Sequence, residues 1–365
     1  MKKIYLNFLF WLLKLESHAI IRKFKPEIIG ITGSIAKSST KEAVFAVLEI
    51  KFGQQIYRNF GNLNNELGLP LAILGIARTP EKWQWWQVLV SGINKYLFSK
   101  KYPKVLVLEM AADKPGDIDY LLSIVKPRVG IVTAVGPTHL MNFKSVENVA
   151  REKAKLVQNL PKNGFAILNE DDSRVMAMAE NLKAKVITFR SDGFNLAKNA
   201  AKKVAQIYQI DPEKSEQVLK NLAPLVGRFN LLRGVRNSKI IDDAYNSNPL
   251  SCSLALDMLA QTEAGRKIAV LGDMMELGSY KKKGHKEIAQ KARKIADVLV
   301  LVGPNFEFYK KADFWFADSK KAVARISKLV REDDLVLVKG SHSLKMEEVV
   351  AALSTKESKC QNLSV

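Results

Sequence analysis

The stretch Ile28–Glu42 reads IIGITGSIAKSSTKE and decides the fold around it. Its first residues are apolar and mostly β-branched, which predicts a buried strand. The residues Gly33–Thr40 follow as a short loop of small and polar side chains, before a helical pattern. A loop between a strand and a helix N-terminus directs backbone N–H groups at an anion. We therefore expect a phosphate site, with Lys37 as a point charge and Ser38 or Ser39 as a hydroxyl ligand of Mg²⁺.

Two features separate this loop from the longer nucleotide-binding pattern G-x-x-x-x-G-K-[ST]. Five residues before position 36 the chain has Ile31 instead of glycine, and position 36 itself is alanine. The methyl group of Ala36 is unfavourable if the local φ is positive, whereas a negative φ accommodates it. We expect a triphosphate site in which Ala36 affects the catalytic rate, followed by a helix from Lys41.

The composition is that of a globular protein without a disulfide framework. The 365 residues are 47% hydrophobic and 26% charged, which suits about two to three domains with buried cores. The cysteines, Cys252 and Cys360, are far apart and lack a metal-ligand spacing. This usage predicts a reduced, cytoplasmic protein.

The net charge of +20 raises the question of a nucleic-acid partner. The basic residues are scattered in short pairs over helical segments, without an RNP-like or helix-turn-helix pattern. We therefore expect a solvated basic surface and no nucleic-acid partner. Attraction to phosphorylated substrates or to an anionic membrane face is the second interpretation.

Residues 1–26 predict an amphipathic helix. The apolar segment from Ile4 to Leu15 is interrupted by Asn7 and Lys14, and it is shorter than the roughly 20 residues that a membrane span needs. A small-residue cleavage site of the signal-peptide type does not precede the first strand. The helix packs on the next domain or lies on a membrane surface, at the inner face, and we favour packing.

Continuous apolar strands alternate with helical stretches, which predicts parallel sheets covered on both faces. Val105–Glu109 is one such strand, and Gly130–Val135 is another, followed by His139. Ligands collect at the carboxyl ends of such strands. We therefore expect the Lys37 loop, Glu109 and His139 to form a nucleotide and metal site.

A second α/β unit with four strands is predicted after a hinge at Gly227–Arg228, and it is Rossmann-like. The predicted fold class is therefore α/β, with a P-loop central domain followed by a Rossmann-like C-terminal domain. The predicted boundaries are 1–26 for the helix, 27–226 for the central domain and 227–365 for the C-terminal domain. The tryptophans Trp83, Trp85 and Trp86 are interpreted as core under a long helix.

Several motifs occur in a fixed order along the chain. They are the loop at 33–42, GNLNNELGLP at 61–70, VLEMAADKPGDI at 107–118, VGPTHL at 135–140, GFAILNEDD at 164–172, IDDAYNSNP at 241–249, LGDMMELG at 271–278 and LVKGS at 337–341. Together they resemble the Mur ligase family, most closely its D-alanyl-D-alanine-adding branch, from about Ile28 to Val350. The loop resembles that family's G-x-x-G-K-[ST]-[ST].

The resemblance implies ATP-dependent amide ligation in peptidoglycan precursor synthesis, with ATP and Mg²⁺ as cofactors. A carboxylate of a UDP-muramoyl-tripeptide is phosphorylated to an acyl phosphate, the amine of D-alanyl-D-alanine attacks, and phosphate leaves. Such chemistry requires cations that hold two anions together, so positioning and electrostatics are the main demands on the protein.

The resemblance also implies roles for residues of the central domain. Lys37 contacts the β- and γ-phosphates, and Ser38, Glu109 and His139 are Mg²⁺ ligands. Lys153 is catalytic and a metal ligand if it is carbamylated; read without the family it is one solvated lysine among many. The implied nucleotide-binding residues of this domain are Gly33, Ser34, Ala36, Lys37, Ser38, Ser39 and Asn65.

In the C-terminal domain, Arg228 matches a linker arginine that reaches the phosphates. The implied adenine and ribose contacts are Tyr245, Asn246 and Asn248, together with Asp243. The implied substrate residues, with Asn65 and Glu66 of the central domain, are Asp273, Glu276, Lys339 and Ser341. His285 is interpreted as a surface or cap residue, and a ligand-orienting role for His342 is a weak alternative.

The chain departs from the family at its start, where only about 26 residues precede the loop in place of a domain that binds the UDP-sugar peptide. This departure leaves the identity of the substrate open, and a partner that supplies UDP binding is one interpretation of it. The segment between Phe189 and Gly227 is also short, as if strands were lost near Gly193. The alternative function is a catalytically weak, nucleotide-binding paralogue with a regulatory or scaffolding role.

Overall fold

The computed structural model describes residues 2–81, 83–191 and 195–355, and for residues 2–7 it describes the backbone alone. Gly193 and Cys360 lie outside the described residues. The chain forms two compact units. The first consists of Met1–Val135 and Ser145–Leu222, and the second of Gly136–Lys144 and Ala223–Val365. The excursion of residues 136–144 into the second unit is not part of the predicted organisation.

The helices of the described residues follow in chain order. They are α1 (Lys2–Phe24), α2 (Lys37–Phe52), α3 (Gly68–Ile73), α4 (Trp85–Phe98), α5 (Asp117–Leu122), α6 (Leu140–Phe143), α7 (Val146–Gln158), α8 (Ser173–Met176), α9 (Leu196–Ile207), α10 (Pro212–Asn221), α11 (Pro249–Gln261), α12 (Lys281–Ile295), α13 (Ser319–Leu329) and α14 (Glu347–Leu353).

The strands form one sheet in each unit. They are β1 (Glu27–Thr32), β2 (Ile56–Arg58), β3 (Val105–Glu109), β4 (Val129–Val132), β5 (Phe165–Asn169) and β6 (Lys185–Phe189) in the first, and β7 (Asn230–Arg233), β8 (Lys239–Asp243), β9 (Arg266–Gly272), β10 (Val298–Val302), β11 (Phe314–Phe316) and β12 (Asp334–Lys339) in the second.

The first sheet has the order β2-β3-β1-β4-β5-β6, and all its pairings are parallel. In this register Ile31 is level with Glu109, and Thr32 is level with Val132. The loop after β1 and the carboxylate at the end of β3 therefore lie at the same edge of the sheet. One face is covered by α2 and α9, which pack closely because α9 presents small residues such as Ala201 and Ala205.

The second sheet has the order β11-β10-β9-β12-β8-β7, with β7 antiparallel to β8 and the other strands parallel. The four predicted strands are present as β8, β9, β10 and β12, while β7 and β11 are additional edge strands. Helices follow these strands, as the alternating pattern predicts. The predicted α/β fold class, with a parallel-rich sheet followed by a Rossmann-like unit, is confirmed.

The N-terminal helix α1 packs on the first unit, which was the favoured interpretation. Leu9, Leu13 and Ile20 are buried and recur at helical spacing on one face. The ring of Phe24 stacks on Tyr102 with centroids 5.0 Å apart. No helix among the described residues has the length and hydrophobicity to span a bilayer.

The interpretation of the tryptophan cluster as core is wrong. Trp83 is 64% exposed and Trp86 is 67% exposed, while Val88 and Gly92 form the buried face of α4. A Cβ at Gly92 would lie 2.1 Å from Glu16 Oε2 on α1, so glycine allows the two helices to approach closely here. Val88 of the predicted cluster is buried, whereas Trp86 is on the face of α4 turned away from the unit.

Candidate functional site

The loop after β1 turns tightly over the edge of the first sheet. Gly33 has φ 151°, and a Cβ at this position would lie 1.8 Å from Thr133 Oγ1. The Ser34 N–H donates to the Ala134 carbonyl at 2.8 Å, which ties the loop to the chain after β4. Helix α2 then begins at Lys37, four residues before the predicted Lys41. The first helical turn therefore carries the lysine and the two serines of the motif.

Ala36 adopts the left-handed conformation, with φ 57° and ψ 8°. This is the conformation in which the methyl group was expected to be unfavourable. A non-glycine residue in this region costs about 1–2 kcal/mol, because its Cβ approaches the following carbonyl oxygen. The loop is therefore strained at the residue that precedes the lysine.

The N-terminus of α2 is strongly electropositive. Ala36 provides no side-chain cap, and the first turn contains no acidic residue. Lys37 adds an ammonium group, which donates to the Gly33 carbonyl at 2.9 Å and is thereby held over the loop. The first N–H groups of a helix have no partners within the helix and favour anions. This arrangement fits a phosphate chain, as the sequence predicts.

The carboxylate of Glu109 is buried and held at the end of β3. Its Oε1 accepts from Asn64 Nδ2 at 2.7 Å, and its backbone N–H donates to Asn59 Oδ1 at 2.9 Å. Asn59 Nδ2 also donates to the Glu109 and Leu63 carbonyls. Lys41 Nζ lies 4.0 Å from the second carboxylate oxygen, Oε2, beyond hydrogen-bond distance.

Glu109 Oε2 is buried and lacks a hydrogen-bond partner. A buried carboxylate oxygen of this kind is costly unless a cation or donor reaches it. Ser38, also buried, lies in the first turn of α2 at the same sheet edge. Within the described part of the chain no three His, Cys, Asp or Glu side chains form a metal cluster. Mg²⁺ is commonly held by one or two carboxylates with phosphate and water, so this donor set fits it.

Lys153, on α7, is fully buried rather than solvated. Burial, together with the nearby charge of Lys37, lowers the pKa of its ammonium group to about 7, although Asp113 and Glu152 oppose the shift. Near neutral pH a large fraction is therefore the free amine, which is the nucleophilic form. The neighbouring Glu152 is engaged elsewhere, because it accepts the Gly116 and Ile118 N–H groups.

Asn65 and Glu66 lie in the loop that precedes α3. Asn65 Oδ1 accepts the Leu67 and Gly68 N–H groups at 3.2 Å and 2.9 Å, so it caps a turn. Glu66 is near the surface and pairs with Lys114 at 3.2 Å. In this loop it is Asn64, and not its predicted neighbours, that contacts Glu109.

In the second unit, His139 lies on the excursion of residues 136–144. Its Nδ1 is 2.6 Å from Glu276 Oε2, and this contact holds the pKa of the Glu276 carboxyl below its usual range. The Met141 N–H donates to the Glu276 carbonyl at 3.2 Å. Two predicted site residues, a metal ligand and a substrate contact, are therefore paired within this unit.

A cavity of about 790 Å³ lies beside this pair and is entirely lined by the second unit. Its lining includes Asp273 and Glu276, both predicted to contact substrate, and the cations Lys281 and Lys345. Burial raises the pKa of Asp273 to about 6. Mixed charges around a cavity of this size suit a zwitterionic small molecule.

His285 is fully buried, so its interpretation as a surface or cap residue is wrong. Its Nε2 accepts the Met274 N–H at 2.9 Å, and its Nδ1 lies 2.7 Å from the Lys281 carbonyl. This pattern defines a neutral imidazole with the proton on Nδ1, and burial lowers its pKa. His285 therefore supports the backbone beside Asp273.

Lys339 is buried and bonded within the protein. Its Nζ donates to Asp243 Oδ2 at 2.5 Å and to the Asn246 carbonyl at 2.8 Å. Burial raises the pKa of the Asp243 carboxyl, an effect that the Lys339 charge opposes. The lysine predicted to meet substrate thus fixes the loop that carries Tyr245 and Asn246. The hydroxyl of Ser341, similarly, accepts the Met275 N–H at 3.0 Å.

Arg228 lies over the ring of Tyr245, with its guanidinium carbon 4.3 Å from the ring centroid. The Tyr245 ring is also 5.8 Å from that of His342. Tyr245 and Asn246 are exposed, and an exposed aromatic ring of this kind suits stacking on a nucleobase. Asn248 has a structural task, since it caps α11 in a reciprocal capping box with Ser251.

Three residues of the site were missed from the sequence: Lys41, Asn59 and Asn64. Asn64 stands beside the predicted Asn65 in the same asparagine-rich loop, and a local pattern cannot say which amide turns inward. Lys41 Nζ donates to the Asn59 carbonyl at 2.7 Å. The signal for Lys41 was its position one turn after Lys37, on the same helix face.

Family comparisons cover both units. Residues 31–232 match the Mur ligase middle domain, and residues 227–342 match the domain described as Mur ligase, glutamate ligase domain.

Individual relatives extend over most of the chain. It is 31% identical to the UDP-N-acetylmuramoyl-tripeptide–D-alanyl-D-alanine ligase of Mycobacterium tuberculosis (strain CDC 1551 / Oshkosh), with 89% of this chain and 72% of the relative covered. It is 28% identical to the enzyme of the same name from Escherichia coli (strain K12), covering 93% and 79%. The crystal structure of the MurF ligase from Thermotoga maritima in complex with ADP has a TM-score of 0.77 at 25% identity, covering 94% of this chain and 83% of that one.

Proposed function

The chain belongs to the Mur ligase family, and we propose that it is an ATP-dependent ligase that joins D-alanyl-D-alanine to a UDP-muramoyl-tripeptide through an acyl phosphate. The proposed identity of both substrates rests on the named relatives, whose alignments cover about nine tenths of this chain. The observation that carries the chemistry is the electropositive N-terminus of α2 at the same sheet edge as the buried Glu109 carboxylate, whose Oε2 has no hydrogen-bond partner.

ATP is proposed to bind with its phosphates on the first turn of α2. Backbone N–H groups of this turn and Lys37 would receive the β- and γ-phosphates, and the Gly33 loop would lie beneath them. Ser38 and Glu109 would hold Mg²⁺, whose charge would offset that of the transferring phosphoryl group. The tightly held Glu109 would require little reorganisation, which is the condition for efficient electrostatic stabilisation.

Lys153 is proposed to carry a carbamate. Its free amine attacks the carbon of CO₂, a C–N bond forms, and the amine proton passes to solvent. The pKa of about 7 makes the free amine abundant at neutral pH, whereas an ordinary lysine is almost fully protonated there. The product is an anion, one charge below the neutral amine, and it would face the cations of the site.

The second unit is proposed to bind the rest of ATP and the incoming amine. Tyr245 and Asn246 would contact adenine and ribose, Asn248 would shape their loop, and Arg228 would reach the phosphates. His139 is proposed as a ligand of a second Mg²⁺. For the amine, Asp273 is the group in the cavity with a pKa near neutrality, which suits the ammonium-to-amine conversion that precedes attack.

The proposed reaction is tested by phosphate release from ATP and by mass spectrometry of the product. The full chain is mixed with ATP, Mg²⁺, UDP-muramoyl-tripeptide and D-alanyl-D-alanine, and each component is omitted in turn. We expect turnover that requires all four and a product heavier by one dipeptide. Lys37→Ala should abolish it, while Lys214→Ala, which removes an exposed lysine of α10, should not.

A chain that binds ATP but turns over no acid and amine pair would contradict the proposal and favour the weak paralogue. The carbamate has its own readout, because ¹³C-labelled bicarbonate should give a carbamate signal in the wild type that is absent in Lys153→Met. The cytoplasmic location and a partner that supplies UDP binding stay predictions, as does the membrane contact of residues 1–26.

A further inference from the structure

The solvent-facing side of α1 is apolar. Phe8, Trp11 and Leu15 are 57%, 54% and 47% exposed, and they recur at positions i, i+3 and i+7. This stripe is opposite the buried stripe of Leu9 and Leu13 on the same helix. The rings of Phe8 and Trp11 stack with centroids 5.8 Å apart. Helix α1 is therefore apolar on two faces, and the unit covers one of them.

Helix α4 repeats this arrangement. Trp86, Ile93 and Leu97 are 67%, 50% and 56% exposed and form a stripe opposite the buried Val88 and Gly92. Phe98, at the end of the helix, is 74% exposed, and Trp83, just before it, is 64% exposed.

The two helices lie side by side and run in the same direction. Glu16 of α1 lies against Gly92 of α4. Closer to the C-terminal ends of both helices, Lys23 Nζ donates to the Tyr96 and Ser99 carbonyls. The two exposed stripes thus lie on neighbouring, parallel helices. We name their exposed apolar residues, with Trp83 and Phe98, the α1–α4 face, defined by Phe8, Trp11, Leu15, Trp83, Trp86, Ile93, Leu97 and Phe98. Its exposed apolar area is on the order of several hundred Å², the size of the largest apolar patch of a soluble monomer, which is often an interaction site.

Basic residues outnumber acidic ones in the two segments that carry this face. In the segments 8–25 and 76–104 the acidic residues are Glu16, which lies between the helices, and Glu81. Among the described residues of the same segments, the exposed basic ones are Arg22, Lys23, Lys25, Arg78, Lys100, Lys101 and Lys104. Several of them cluster where the C-terminal ends of α1 and α4 meet, next to Phe98.

We propose that the α1–α4 face binds the interface of an anionic lipid bilayer. Tryptophan and phenylalanine side chains are favoured at the headgroup level, and basic residues around them are attracted to anionic lipids. A second copy of the chain fits less well, because a symmetric interface would bring the same basic residues together. The inference extends the contact predicted for residues 1–26 to a second helix, and it is independent of the ligase chemistry.

The tryptophans of the chain allow a direct test. Trp11, Trp83, Trp85 and Trp86 lie on or beside the α1–α4 face, and Trp315 lies on β11 of the second unit. Two full-length variants are compared, one retaining Trp86 alone and one retaining Trp315 alone, with the other tryptophans replaced by phenylalanine. Each is mixed with vesicles of phosphatidylcholine alone or with added phosphatidylglycerol, and with vesicles whose acyl chains are brominated.

With anionic vesicles we expect the Trp86 emission to move to shorter wavelength and to be quenched by brominated chains, while the Trp315 emission stays unchanged. The wild type should bind anionic vesicles at least about tenfold more tightly than neutral ones, and salt should weaken the binding. Trp86→Ser combined with Ile93→Ser should lower the binding at least about tenfold without changing the urea unfolding midpoint. Val226→Ser, at an exposed apolar residue of the second unit, should leave it unchanged.

Three results would overturn the inference. They are an unchanged Trp86 emission with every vesicle, equal binding to neutral and anionic vesicles, and a concentration-dependent dimer that protects Trp86 from aqueous quenchers without lipid. Each variant is checked by circular dichroism and by ATP binding, so that loss of lipid binding is not confused with unfolding.

Discussion

Replacing Ala36 by glycine tests whether the nucleotide loop is strained. Ala36 is the N-cap of α2 and has φ 57°, a region that glycine enters without steric cost. The substitution should therefore relax the loop while leaving Lys37 and the two serines in the first helical turn.

Three opposing effects determine the size of the change. Removing the methyl group relieves about 1–2 kcal/mol of left-handed strain. Ala36 is half-buried and packs on the core under α2, so losing its methyl contacts costs about 0.5 kcal/mol. The greater conformational freedom of glycine in the unfolded chain lowers the stability by a further ~0.5 kcal/mol. The net expectation is a stabilisation of about 0.5 kcal/mol.

Ala46→Gly is the matched control. Ala46 lies in the middle of the same helix, is half-buried like Ala36, and is not among the residues with positive φ. There the same substitution should destabilise by about 1 kcal/mol, because glycine is a poor helix former. The two variants should therefore differ by about 1.5 kcal/mol, which corresponds to a difference in Tm of about 3–6 °C for a unit of this size.

The measurement is thermal unfolding of the full chain by calorimetry, with and without ATP and Mg²⁺, together with ligase turnover. If Ala36→Gly lowers Tm as much as Ala46→Gly does, the left-handed conformation of Ala36 is refuted. A raised turnover would show that strain slows the reaction. Unchanged turnover with raised stability would show that the loop tolerates the strain during catalysis.

Three further perturbations address the buried polar groups. Asn59→Ala should destabilise by about 2–4 kcal/mol in urea unfolding and reduce turnover, because it leaves the Leu63 carbonyl and the Glu109 N–H without their hydrogen-bond partner; a silent substitution would contradict its organising role. Lys153→Met should stabilise the chain at pH 7 by up to roughly 5 kcal/mol while abolishing turnover. Because the folded pKa is lowered to about 7, wild-type stability rises between pH 7 and 10.5, so the advantage of this variant should shrink over that range in urea titrations. Burial raises the pKa of Glu16 to about 7, so its contribution to stability is lost as pH rises from about 4.5 to 7. Glu16→Gln should therefore match the wild type near pH 4 and exceed it at pH 8 by about 1 kcal/mol, a figure reduced for partial exposure, and equal unfolding midpoints at pH 8 would refute this.

Local sequence patterns were sufficient to predict the loop after β1 and the sheet edge at which Glu109 lies. The β-branched run before Gly33 specifies β1, and parallel order then places the end of β3, with Glu109, beside it. Both conclusions depend only on strand pairing and on the right-handed crossover between parallel strands, which are general features of α/β units. They required no knowledge of particular side-chain packing.

Long-range packing explains what the sequence did not reveal. The sign of φ at Ala36 depends on how the Gly33 loop seats on Thr133, about a hundred residues away. The burial of Lys153 depends on how α7 packs against α5. For Trp83 and Trp86, helical periodicity defines a face but does not say whether protein, water or lipid covers it.

The excursion of residues 136–144 limits how the two units can be separated. A fragment that starts at Ala223 would lack these residues, although the second unit packs around them. It would lose the Leu250 contact of Gly136 and the imidazole of His139, leaving Glu276 without its partner. The second unit is therefore discontinuous in sequence. To obtain it alone, residues 136–144 would have to be supplied as a peptide or joined to the fragment through a new linker.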